Sequence, residues 1–472
     1  MSLTTRFGLV AGTTALAMAG TAFGGVESDN DALSQIAELK AELAQLKQQD
    51  SQDWLTEQRA TEIRGIVQDV LADADTRTSF QSSGAMAGWN NGFFLASPDG
   101  NFKLNVQGFM QVRWTMNKAN GYSSATPAGA EYEWGFENAN TWLDFSGNIV
   151  DPSWTFHVRG NFANGNGGEM GLQFASISKD FGNGFSVTAG QFRAPWLRET
   201  LVDDQYQLGM DRSLVNEYFT QGYDQGIQLG YASDAFRVNA FAGDGVLQGL
   251  DIGGVNAGSG SANTPWNQTA TNYAFAARGE YKISGDWAQF DDFTSRRGEE
   301  GGMMVGVAAV YERGNQNAGN PNGQTPAERR GFNGTKAYGF TGDFTWDFGG
   351  ANLFASFVWM GATGGATSTT HPWGFNLQGG YFVTDDIEIF GRYALMNYDI
   401  DNAATDTGKY NGLTAGANYF FADNVKFTVE WGMNLKSFGA DGPANINSAG
   451  FRTDVAGESD QWALRAQMQL LF

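Results

Sequence analysis

The stretch Trp462-Ala-Leu-Arg-Ala-Gln-Met-Gln-Leu-Leu-Phe472 decides the fold. Trp462, Leu464, Ala466, Met468, Leu470 and Phe472 are all apolar, whereas the alternate positions carry Arg465, Gln467 and Gln469. A period of two places one set on each face of a β-strand. A strand of a soluble sandwich would rarely stay this apolar on one face up to a final aromatic. Lipid against that face explains it.

The same alternation recurs upstream. In residues 101–114, Phe102, Leu104, Val106, Met110, Val112 and Trp114 oppose Lys103, Asn105, Gln107, Gln111 and Arg113. In 152–162, Trp154, Phe156, Val158 and Phe162 oppose Thr155, His157, Arg159 and Asn161. About sixteen such segments are predicted, near 102–116, 132–148, 152–163, 168–181, 184–193, 222–232, 235–244, 271–283, 302–312, 335–347, 352–361, 371–383, 386–397, 409–421, 425–437 and 460–472. Short turns such as 181–184, 232–235, 348–351, 383–386 and 421–424 alternate with long polar loops, as in barrels that cross an outer membrane. Residues 284–301 break the rule, being long and charged where a short turn is expected. In a bilayer every backbone group must be satisfied internally, so the sheet must close without an edge. The fold class expected is therefore all-β: a transmembrane antiparallel barrel of about 16 strands, preceded by a short α-helical coiled coil.

Composition agrees. Among 472 residues there are 64 Gly and 36 Phe but no Cys, which removes disulfides and thiolate metal sites. A net charge of −22 argues against nucleic acid as a partner. Residues 1–25, with Arg6 before an Ala- and Gly-rich apolar core, read as a secretory signal peptide. In 26–75, Ile36, Leu39, Leu43 and Leu46 mark a coiled-coil seam placed in the periplasm. Residues 76–100 read as a linker and 101–472 as the barrel in the outer membrane, in contact with its lipid.

Alternation assigns Lys103, Arg113, Arg159, Arg237, Arg278, Arg392, Lys426, Lys436 and Arg465 to the lumen, with fewer acids: Glu280, Asp343, Asp347, Glu388 and Glu430. These basic residues are candidate pore-lining groups. They either pair with wall and loop carboxylates or face an acidic loop across the pore and set up a transverse field. Only His157 and His371 are present, with no nucleophile motif beside them, so no catalytic, metal or cofactor site is read and no enzyme is expected. A barrel that only spaces or tethers the envelope is the alternative to a channel.

The stretches 185–201 (FSVTAGQFRAPWLRETL), 208–219 (LGMDRSLVNEYF) and 223–229 (YDQGIQL) carry a resemblance. Gly190, Gln191 and Phe192, then Glu199, then Arg212 and Ser213 resemble the motif of the phosphate-selective porin O and P family. The resemblance implies a sixteen-stranded, trimeric outer-membrane porin for ions and small hydrophilic solutes or anions. It also implies a third loop folded inward as the constriction, here bearing Arg198, Glu199, Asp203, Asp204, Asp211 and Arg212. Phosphate-selective members cluster lysines there, but residues 194–221 contain no Lys. Phe472 resembles the terminal signal read by the barrel assembly machinery.

Overall fold

The computed structural model describes residues 37–41, 85–89, 92–118, 131–162, 168–247, 263, 271–314, 336–363, 371–397, 409–436 and 461–472. The chain divides into two units, Met1–Gly88 and Trp89–Phe472. In the first, residues 37–41 are helical and Leu39 is exposed, while the rest of the expected coiled-coil seam and the signal segment lie outside the described residues. Two short strands, β1 (Met86–Trp89) and β2 (Phe93–Ala96), precede the barrel.

Sixteen strands then follow in the predicted places. They are β3 (Lys103–Lys118), β4 (Tyr132–Asn148), β5 (Trp154–Asn161), β6 (Gly171–Gly182), β7 (Phe185–Phe192), β8 (Asp224–Ala232), β9 (Phe236–Gly243) and β10 (Thr271–Ser284). The second half is β11 (Gly302–Gly314), β12 (Lys336–Asp347), β13 (Ala351–Thr363), β14 (Trp373–Phe382), β15 (Ile387–Asn397), β16 (Lys409–Ala422), β17 (Val425–Lys436) and β18 (Trp462–Leu471). Each pairs antiparallel with its neighbour, and β18 pairs with β3, so the ring closes. Beyond the reach of β18, β2 covers the edge of β3 from Lys103 to Val106. Among the described residues every strand of the β3–β18 ring has a neighbour on both sides, so the ring leaves no free edge facing hydrocarbon, which could not hydrogen-bond it.

The pleat puts the two residue sets of each strand on opposite sides. On β12, Ala337, Thr341, Asp343, Thr345 and Asp347 are buried inside, while Tyr338, Phe340 and Trp346 stand exposed outside. Large apolar side chains cover the outer face, Trp134 at 69% and Phe136 at 73% exposure among them. In water such a surface would drive aggregation. Thirteen of the sixteen strands have 9 to 17 residues, enough for a bilayer, which needs about 9–11 in a tilted strand, and β5, β7 and β9 have eight each. Among the described residues no helix is long and apolar enough to cross one.

Phe472 closes the seam. Its N–H donates to the Gly108 carbonyl at 2.8 Å, and the Gly108 N–H donates back at 2.6 Å. The aromatic ring lies over Gly108, where a Cβ would come within 2.4 Å of Cζ. A side chain here would displace the Phe472 ring from its present position.

Candidate functional site

Residues 193–223, between β7 and β8, turn into the barrel and pack against its inner wall. The turn inward is built locally. Ala194 N–H donates to Asp224 at 2.9 Å, and the Trp196 indole N–H donates to the Phe219 carbonyl at 3.0 Å. A short helix, Arg198–Leu201, and a second, Leu214–Phe219, face each other across the loop. Ser213 caps the second by accepting from Asn216 N–H at 3.1 Å, and Ser213 itself donates through N and Oγ to Glu199, both at 2.5 Å. Glu199 is therefore a buried structural carboxylate that ties the two helices together.

One face of the loop is apolar. Trp196, Leu197, Leu214, Val215 and Phe219 pack on Ala276, Ala308, Val310, Ala337, Met360 and Met396 of the wall. The inner face of β10–β15 is thus small and apolar where the loop lies. Gly374 of β14 completes the seat, since a Cβ there would meet Val215 Cγ1 at 2.6 Å.

The other face is ionic, and here the expected basic wall meets the expected acidic loop. Arg159 forks onto Asp203 with two bonds of 2.8 Å, and Arg193 reaches the same carboxylate at 2.9 Å. Arg212 pairs with Asp204 at 2.6 Å. Arg113 grips Asp211 at 2.8 and 2.9 Å, and Arg465 reaches it at 2.5 Å while also bonding Glu430. Arg392 donates to the Asp211 carbonyl at 2.8 Å, Lys426 to the Gln207 carbonyl at 3.0 Å, and Glu430 accepts from Met210 N–H at 3.0 Å. Arg278 holds Asp343 at 2.8 and 2.9 Å, Glu280 at 2.8 Å and the Trp196 carbonyl at 3.2 Å. Of the two sequence alternatives, close pairing is the one realised at these residues. Charges in contact cancel locally, so little field from them extends into open water.

Electrostatics follow from these contacts. Burial would raise the Asp203 carboxyl, but Arg193 and Arg159 overcome it and hold the group well below the usual range. For Asp211, burial is likewise outweighed, by Arg113 and Arg465. Glu217 is pushed up to about 7 by burial against the pull of Arg212. The loop therefore carries both fixed charges and one carboxyl that titrates near neutrality.

Six of the basic residues assigned to the lumen, Arg113, Arg159, Arg278, Arg392, Lys426 and Arg465, are buried under the loop. Three lie apart from it: Lys103 beside the Phe94 ring, Arg237 over Trp287 at 4.0 Å, and Lys436 half-buried on the inward row of β17. Arg198 points away from the acidic cluster, 3.7 Å from Glu280. Arg193 was not singled out in the sequence. It closes the Asp203 and Asp204 cluster from the first position after β7, where strand periodicity gives no signal. His157 contacts Asp144 at 2.5 Å and stacks on Phe174, and Asp144 also takes Arg159 at 2.7 Å. Among the described residues no group of His, Asp or Glu is arranged to hold a metal.

The family described as phosphate-selective porin O and P matches residues 106–437. Among solved structures the chain is similar to the high-pH structure of OprB from Pseudomonas putida, with 9% identity, 78% of this chain and 94% of that chain covered, and a TM-score of 0.51. It is also similar to OmpF of Salmonella typhi in complex with daunomycin, with 12% identity, 82% and 100% covered, and a TM-score of 0.50. At such identities the likeness is one of fold. No curated protein matches the chain.

Proposed function

The chain belongs to the phosphate-selective porin O and P family, and from that premise we propose that residues 193–223 form the constriction of a narrow, weakly charge-selective pore. Family membership makes the protein an outer-membrane porin, a barrel channel for passive diffusion. It is a channel rather than an enzyme.

The observation that carries the selectivity reading is the pairing of Arg113 and Arg465 with Asp211 and of Arg159 and Arg193 with Asp203. A strongly anion-selective filter presents unpaired cationic groups to the solute. Here the guanidiniums are occupied, and the loop lacks the lysines of phosphate-selective members. Small hydrophilic solutes of either charge fit this lining better than phosphate alone. Reversal potentials across a KCl gradient in planar bilayers test it: a small shift from zero is expected, and a near-ideal anion potential would overturn it.

The protein functions as a homotrimer in this reading, with residues 29–74 forming a three-stranded periplasmic coiled coil. Trimeric barrels would hold three helices close together, so a short seam gains from high effective concentration. The exposure of Leu39 supports the reading, because an apolar seam residue needs a partner. The same coil would give the barrel its spacing or tethering role as an addition to transport. Leu39→Cys in this Cys-free chain should form disulfide-linked dimers within trimers, and persistent monomer would refute the seam. Phe472 serves as the residue read by the barrel assembly machinery.

A further inference from the structure

Residues 285–301, the one long connection on the short-turn rim, do not hang outside the barrel. They cross it. The segment starts with a single 3-10 turn, Trp287–Asp291, fixed by a capping box in which Gln289 accepts from Asp286 N–H at 2.7 Å. The Trp287 indole N–H donates to the Ser233 carbonyl at 3.0 Å, which pins the near end to the β8–β9 turn. From there Phe290 and Phe293 go inward and are only 1% and 2% exposed.

Phe293 packs with Val202 and Leu208 of the inward loop and with Phe354 and Phe390 of the wall. Its ring centroid lies 4.7 Å from that of Phe354, and its N–H donates to the Tyr206 carbonyl at 3.1 Å. The far end is tied to three more turns. Ser295 Oγ accepts from Gly349 N–H at 3.1 Å, the Arg297 side chain donates to the Phe382 carbonyl at 3.2 Å, and Arg296 pairs with Asp423 at 3.2 Å. These anchor points run from the β8–β9 turn to the β16–β17 turn, which is half of the sixteen-strand circumference. A chord drawn between them crosses the mouth.

A surface loop has no reason to bury two phenylalanines, and an ordinary hairpin turn needs only two to five residues. We propose that residues 285–301 are a second constriction, a strap that obstructs half of the short-turn mouth and braces the inward loop from beneath through Phe293. Resting on the channel reading above, the strap confines entry at the short-turn mouth to the half that it does not cross. Phe293 is thus a positioning residue for Val202–Leu208, and the exposed Asp291 stands at the margin of the open half.

The test is single-channel recording of the full chain, with the wild type as the control for the channel reading itself. A silent wild type would sink the channel; the strap is judged only on differences from a conducting one. Replacing residues 288–298 by a short Gly-Ser turn should raise conductance about twofold, because the obstructed half opens. Phe293→Ala should leave the strap in place but free the loop, raising the frequency of brief closures, and Phe293→Leu should restore quiet openings. Unchanged conductance and unchanged gating in variants that keep the heat-modifiable folded form would overturn the proposal. If those variants fail to fold, Asp291→Cys on the folded chain decides. Coupling it to a bulky thiol reagent should reduce conductance at least by half if the strap borders the path, and no reduction overturns the assignment.

Discussion

Asp211→Asn tests whether the inward loop is held by ion pairs at the permeation path. The carboxylate sits between the Arg113 guanidinium, at 2.8 and 2.9 Å, and the Arg465 guanidinium, at 2.5 Å. Both guanidiniums are nearly sealed, with side chains 5% and 4% exposed, whereas Asp211 is 20% exposed. Removing one partner of a fully buried pair costs about 3–5 kcal/mol. Here Arg465 keeps Glu430 and Arg113 keeps Gln467, and Asp211 retains some water. A loss of about 2 kcal/mol in loop docking is therefore expected, or roughly a thirtyfold increase in the undocked population. The amide keeps the shape but leaves one net positive charge among Arg113, Arg465 and Arg392. Two readouts follow in planar bilayers: more frequent brief closures, and a reversal potential shifted towards anions. The double variant Asp211→Asn with Arg465→Gln should recover much of the selectivity, since it restores the local balance. If neither closures nor reversal potential change in the single variant, the loop is not held at the path by these bonds.

Neutralising Asp203, Asp204 and Asp211 together should shift permeability further towards anions, and an unaltered reversal potential would place the loop's charges off the path. Gly108→Val would drive a Cβ against the Phe472 ring, now 2.4 Å from that position, and should lower barrel stability by about 1–3 kcal/mol in urea unfolding, with no effect on conductance. Asp203 and Asp211 ionise below their ordinary value of 3.8, so their stabilisation is complete above pH 3.8 and is lost as pH falls through the lowered values. Gating noise from these pairs should consequently stay flat from neutrality down to that point and rise only in stronger acid. Asp292 behaves oppositely. Burial pushes it up to about 7, with Glu299, Glu388 and Lys426 around it, so its cost to the docked strap is absent below 3.8 and complete once pH passes about 7. Wild-type conductance should rise as pH climbs from about 4 to about 7 and level off above that, and the rise should vanish in Asp292→Asn; persistence in the variant would assign it to another group.

Period-two alternation was enough to place all sixteen barrel strands to within a few residues, because a strand between lipid and a wet lumen must obey it at nearly every position. The basic inner wall was legible for the same reason: Arg113, Arg159, Arg278, Arg392, Lys426 and Arg465 lie on the predicted face. What those side chains do was not legible. Whether a guanidinium meets water or a carboxylate depends on a loop hundreds of residues away along the chain, as Arg465 and Asp211 illustrate. The apolar seat for Trp196 and Phe219 was hidden too, because alanines on an inner face look like ordinary variation until a helix is laid on them. Residues 284–301 stood out by length and charge alone; their direction was decided by Phe290 and Phe293 finding buried partners, a long-range hydrophobic contact that no local pattern encodes. Local sequence determines which face each strand presents, whereas only the closed barrel determines what meets that face inside it.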